Sequence, residues 1–134
     1  MNLYLNFDGN CREAFEFYRS IFGGEFDAIQ TFGEAPDDAG MPAEMSDRIM
    51  HVSLPMGDSS LMGSDTPNAA ELVAGNNFSI SLAPTDRAET DALFARLSDG
   101  GDVTMALEET FWGAYFGSCR DRFGINWMLN CELG

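Results

Sequence analysis

The chain has 134 residues, 22 Asp and Glu against 7 cationic residues, and a formal charge of −15. All seven cations are Arg and His51 is the only imidazole, which excludes a P-loop lysine, a Schiff base and any two-His metal site within one chain. The same balance leaves no basic patch for nucleic acid or an anionic membrane.

At this length a single domain spanning 1–134 is expected, with enough buried surface for a real core. A hydrophobic content of 45% with 22% charged residues is that of an ordinary globule. No apolar run approaches the ~20 residues needed to cross a bilayer. The amino terminus has no basic stretch of the kind that opens a signal peptide. Cys11, Cys119 and Cys131 are odd in number and widely spaced, so free thiols in a reducing cytoplasm are the expectation.

Leu3 to Phe7 alternates at period two and reads as a strand. Asp8-Gly9-Asn10 turns, with Asn10 as the expected N-cap. Cys11, Ala14, Phe15, Tyr18 and Phe22 then form one face of an amphipathic helix, which Gly23-Gly24 ends. Glu25 to Phe32 reads as a strand and Gly33 to Asp47 as an exposed loop. Ile49 to Met56 is a strand placing Met50, Val52 and Leu54 on one face and His51 and Ser53 on the other. Ser59 to Ser64 makes a further short strand.

A linker over about 67–76 separates a first module, about 1–66, from a second, about 77–134. Phe78 to Leu82 repeats the opening strand. A helix with Thr90, Leu93, Phe94 and Leu97 on one face follows, closed by Gly100-Gly101. Strands then run over about Val103–Glu108, Phe111–Ser118 and Ile125–Cys131. The order is βαβββ twice, an internal duplication of an α+β unit.

Each helix needs an apolar sheet face. Period two then throws Tyr4, Asn6, His51, Ser53, Ser79, Ser81, Asn126, Met128 and Asn130 to the other side. Short neutral groups there suit the lining of a concave ligand site; a merely solvated or dimer-buried face is the plainer alternative. His51 is the one side chain whose ordinary pKa, about 6.5, suits proton transfer near neutrality. Of the adjacent acids Glu108 and Glu109 only one can face that side, and Glu109 is the candidate acid or base. Trp112 and Phe116 offer stacking surfaces or core packing. Asp65 and Asp121 read as structural.

Tyr4-Leu5-Asn6-Phe7, Ala14 to Tyr18, Ile49-Met50-His51, Leu61 to Asp65, Glu109 to Trp112 and Asp121 to Met128, in this order, resemble the PhnB-like branch of the vicinal oxygen chelate superfamily, which includes glyoxalase I, bleomycin-resistance proteins and extradiol dioxygenases. The resemblance implies two βαβββ modules whose mixed sheets curl around a shared cup, usually in a homodimer. It also implies a divalent-metal site in the superfamily's enzymes, with one ligand a Glu on the last strand. Met128 stands at that position, and a thioether is a poor ligand for a hard ion.

The expected function is therefore a cytoplasmic homodimer binding a small organic molecule in a metal-free cup, without a cofactor. His51 and Glu109 are the candidate catalytic residues, and Asn6, Ser53, Ser79, Ser81, Trp112 and Phe116 the candidate ligand-binding ones. A divalent-metal-dependent lyase, isomerase or dioxygenase is the alternative, with a site rebuilt from His51, Glu108 or Glu109 and Asp65. A structural domain without a ligand is the third. Some PhnB-like chains carry the name of a demethylubiquinone methyltransferase, but the sequence has no glycine-rich strand-to-helix loop to cradle a nucleotide-like cofactor.

Overall fold

In a computed structural model, residues 1–34 and 43–133 are described. The chain divides into two compact units, 1–73 and 74–134, a boundary inside the expected linker. Residues 35–42 of the loop expected over Gly33–Asp47 lie outside the described residues, as does Gly134.

The first unit contains β1 (Leu3–Phe7), α1 (Cys11–Phe22), β2 (Ala28–Thr31), β3 (Ile49–Met56) and β4 (Ser59–Asp65). The second contains β5 (Ile80–Leu82), α2 (Arg87–Ser98), β6 (Asp102–Glu109), β7 (Ala114–Arg120) and β8 (Asn126–Glu132). The βαβββ order expected from the repeat is thus present twice. The sheets run β1-β4-β3-β2 and β5-β8-β7-β6. Each is open and mixed, its opening strand parallel to its closing one and its other pairs antiparallel. A helix covers one face of each sheet.

In the first unit, α1 buries Cys11, Ala14, Phe15 and Tyr18, the stripe its i, i+3, i+4, i+7 spacing demands. These pack with Leu5, Phe7, Ile49, Val52, Leu54 and Leu61, all buried. Met50, expected in this core, is only half-buried. The ladder slips between Gln30 and Thr31, so Gln30 faces His51 while Thr31 faces Ile49. Met50 is the extra residue of this bulge and Ile49 takes the core place.

Asn10 stands at the N-cap but its side chain makes no capping bond. Asp65 does the work instead, from the end of β4. Its carboxylate accepts from the backbone N–H of Gly9 at 2.8 Å, of Cys11 at 3.0 Å and of Ile49 at 2.8 Å. One buried acid thereby joins the end of β4, the first turn of α1 and the start of β3.

In the second unit Thr90, Phe94 and Leu97 of α2 are buried, with Ile80, Cys119, Trp127, Leu129 and Cys131 beneath them. Asp86 caps α2 directly, accepting from Glu89 N–H at 2.8 Å. Asp121 holds the turn before β8. Its Oδ1 accepts from Phe123 N–H at 2.8 Å and Ile125 N–H at 3.1 Å, and its Oδ2 from the Trp127 indole N–H at 2.8 Å. Gly124 supplies the positive φ of +88° that this turn needs.

The two units fill equivalent places differently. Leu5 of β1 pairs with Gly63, and Ile80 of β5 with Trp127. A β-carbon on Gly63 would lie 2.7 Å from the Phe15 ring and 2.9 Å from the Leu5 carbonyl. Phe15 from the helix occupies this volume in the first unit; the indole of Trp127 comes from the strand in the second.

Candidate functional site

The helix-free face of the first sheet follows from the register. Cross-strand partners share a face, so Tyr4 and Asn6 of β1 stand with Met62 and Ser64 of β4, Ser53 and His51 of β3, and Ala28 and Gln30 of β2. None of these side chains is charged. His51 is half-buried and Ser53 only 6% exposed. The Tyr4 and His51 rings stack at 5.8 Å with a 25° tilt, and the Tyr4 hydroxyl lies 3.4 Å from His51 Nδ1. Among the described residues no other hydrogen bond engages the imidazole. The structure thus groups Asn6, His51 and Ser53 as parity required.

Gln30, Ser60, Met62 and Ser64 belong to the same face, beyond the candidates that strand parity alone brings forward. The signal was available in Ser60-Leu61-Met62-Gly63-Ser64-Asp65, where small or polar and core residues alternate.

The helix-free face of the second sheet carries Ser81, Asn126, Met128 and Asn130 with Phe116, Ser118 and Arg120. Ser79 is not part of it. The strand begins at Ile80, where pairing with Trp127 starts, and Ser79 lies exposed ahead of it. The expected strand over Phe78–Leu82 is therefore two residues shorter. Trp112 and Phe116 meet edge to face at 5.9 Å.

Glu109 goes to the opposite face. It pairs with Tyr115, whereas Glu108 pairs with Phe116. Arg87 of α2 donates to Glu109 at 2.6 Å and lies 4.2 Å from the Tyr115 ring, whose hydroxyl donates to Asp91 at 2.7 Å. The Asp91 contact is the main cause that raises the Tyr115 pKa. Of the adjacent acids, it is Glu108 that shares the face of Phe116. Two irregularities in β6, between Val103 and Met105 and between Met105 and Glu108, set this phase.

Among the described residues, the donor set does not fit the divalent ion that the resemblance implies. Asp65 faces the core and spends its carboxylate on three backbone N–H groups, and Glu109 is matched by Arg87. Around His51 the cross-strand neighbours offer amides, hydroxyls and a thioether. Among the described residues no group of three or more His, Cys, Asp or Glu is placed to bind a metal.

The three cysteines are free and buried. Burial, followed by the charge of Asp65, pushes the Cys11 thiol far up, and burial with Asp121 pushes Cys119 up to about 11. The thiolate is the nucleophile, so folded protein at pH 8 should react with iodoacetamide at Cys11 and Cys119 at least ~100-fold more slowly than urea-unfolded protein, as followed by mass spectrometry. Equal rates would show that these thiols are accessible and ionised. A folded thiol that holds its proton longer stabilises fully below the unfolded pKa. That contribution is lost as pH rises from about 9 towards 11.

The family model described as 3-demethylubiquinone-9 3-methyltransferase matches residues 1–130. Protein YjdN of Escherichia coli (strain K12) is 33% identical over 136 aligned positions, covering 95% of this chain and 91% of that protein. The crystal structure of protein PA1353 from Pseudomonas aeruginosa is 43% identical with a TM-score of 0.86, covering 100% of this chain and 98% of that one. A structure named as a putative 3-demethylubiquinone-9 3-methyltransferase, PhnB protein, from Bacillus cereus shares the fold at a TM-score of 0.82 and 23% identity, with 98% of both chains covered. Glyoxalase/bleomycin resistance proteins share it too, at TM-scores of 0.63 and 0.67.

Proposed function

Because the chain belongs to the 3-demethylubiquinone-9 3-methyltransferase family, a PhnB-like group with the glyoxalase/bleomycin-resistance fold, we propose that it binds a small organic molecule on its helix-free sheet faces, without a metal ion or cofactor, as a cytoplasmic homodimer. The observation that carries this reading is the first sheet's uncharged face, where His51 stands among Tyr4, Asn6, Gln30, Ser53 and Met62. Such a face supplies apolar contact with a few hydrogen-bonding groups, the usual composition of a ligand site. In this role His51 donates or accepts one hydrogen bond to the ligand and Tyr4 holds its ring in place. Exposed Val103 and Met105 on the edge strand β6 offer apolar surface to a second copy.

Methyl transfer, which the family's description names, finds no support in the two strand-to-helix turns. An anionic cofactor group docks at a helix N-terminus by taking its free N–H groups. Asp65 already takes Cys11 N–H at the start of α1, and Asp86 takes Glu89 N–H at the start of α2.

The test is a thermal-shift screen of small organic compounds on metal-free protein, followed by titration of His51→Ala. A ligand at 100 times its Kd should raise the melting temperature by roughly 10 °C. His51→Ala should fold normally and bind about tenfold more weakly, the worth of one hydrogen bond. No stabilising compound, or restored binding only with stoichiometric zinc, nickel, manganese or iron, would overturn the reading. An adenosine-type methyl donor should give no shift. Light scattering that returns a monomer mass would remove the dimer.

A further inference from the structure

The turn between β6 and β7 exposes aromatic surface that its backbone does not require. Thr110 N–H donates to the Ala114 carbonyl at 2.8 Å, and Ala114 N–H to Thr110 Oγ1 at 3.1 Å. Gly113, at φ +87°, donates to the Thr110 carbonyl at 3.2 Å and accepts from Leu133 N–H at 2.9 Å. These bonds close the turn whatever side chains stand at 111 and 112; only Gly113 is demanded by conformation. Yet the two positions hold Phe111, 98% exposed, and Trp112, 57% exposed. Large rings left in water on a turn closed by hydrogen bonds mark an interaction site.

The rings are arranged as walls. Phe111 and Trp112 meet at 5.1 Å and 87°, and Trp112 and Phe116 at 5.9 Å and 68°. Glu108, exposed and paired across the ladder with Phe116, shares the face of that ring. Glu109 has its charge matched by Arg87, whereas Glu108 has no ion pair among the described residues. The corner therefore combines three aromatic rings with one unmatched carboxylate.

That combination selects a class of ligand. Ring faces carry negative potential and attract a weakly hydrated cation, and a nearby carboxylate adds charge. An anion would meet Glu108 and a net charge of −15. A divalent ion would find one carboxylate where it needs several oxygens. A neutral ring would stack but leave the carboxylate unused. We infer that the corner of Glu108, Phe111, Trp112 and Phe116 binds the head group of an organic ammonium ligand, quaternary or fully alkylated. This rests on the small-molecule reading and names its ligand class.

The experiment is a titration of the full chain, by amide and indole NMR, with choline and with its neutral isostere 3,3-dimethylbutan-1-ol. Choline should shift the Trp112 indole N–H and the amides of 108–116, with at least ~10-fold higher affinity than the alcohol. Trp112→Ala, on an exposed turn, should keep the spectrum of the fold and lose about tenfold or more in affinity. Glu108→Gln should lose about 3- to 10-fold, and 0.5 M salt should narrow that difference. Equal binding of the alcohol, unchanged affinity in Trp112→Ala, or choline shifts absent from 108–116 would overturn the inference. If the inference fails while a compound from the screen shifts Tyr4, Asn6 and His51, the broader reading stands. If neither choline nor any screened compound binds, both fall.

Discussion

Replacing Asp65 with Ala should cost about 3–5 kcal/mol of folding stability, read from urea unfolding followed by circular dichroism. Asp65 is 1% exposed and its carboxylate accepts three backbone N–H groups from two segments, the turn into α1 and the start of β3. Truncation leaves the Cys11 and Ile49 donors buried and the Gly9 donor part-buried, and a buried donor without a partner costs about 1–3 kcal/mol. It also uncaps α1, whose own N-cap residue Asn10 makes no side-chain bond. Asp65→Asn should fall between. Its oxygen can still serve Gly9 and Cys11, but its amide N–H₂ then faces the Ile49 N–H. Domains of this kind hold about 5–15 kcal/mol in total, so Asp65→Ala should lose native signal by modest urea concentrations. A loss under about 1 kcal/mol would show that water replaces the carboxylate at little cost.

Asp121→Asn should cost about 2–3 kcal/mol, and the loss should depend on Trp127. One carboxylate oxygen serves Phe123 and Ile125 and the other the buried indole N–H. An amide has a single acceptor oxygen, so either orientation sets donor against donor. Trp127→Phe removes the indole N–H, so the amide can turn its oxygen to Phe123 and Ile125 and leave its N–H₂ facing no indole donor. In a double-mutant cycle the two changes should therefore couple by about 1–2 kcal/mol. Additivity within about 0.3 kcal/mol would mean that the indole bond contributes nothing.

What the sequence disclosed depended on the range of the cause. The α1 stripe of Cys11, Ala14, Phe15 and Tyr18 is written in local spacing, and so is the Asp121-to-Gly124 turn. His51 and Ser53 reached the helix-free face by parity alone. Where a ladder slips, parity stops being a guide. The bulge at Met50 moved Ile49 into the core, and the irregularities of β6 decided that Glu108, and not Glu109, shares a face with Phe116. Analogy with the first strand puts Ser79 inside β5, but the strand starts at Ile80. The cap of α1 was out of reach of local reading, because its acid lies 54 residues from Cys11.

The exchange of bulk between Gly63 and Trp127 bears on how a duplicated chain avoids confusing its own halves. Both opening strands seek a parallel partner, and the two closing strands are chemically similar candidates. If β8 joined β1, Trp127 would arrive opposite Leu5, where the Phe15 ring leaves no room even for a β-carbon. If β4 joined β5, Gly63 would sit opposite Ile80 and leave a void the size of an indole, a defect of about 3–5 kcal/mol. Both exchanged pairings would pack worse than the native ones, so the size difference disfavours them. Gly63 is thus a discriminator between correct and exchanged strands, and substituting it should raise misfolding yield as well as lower stability.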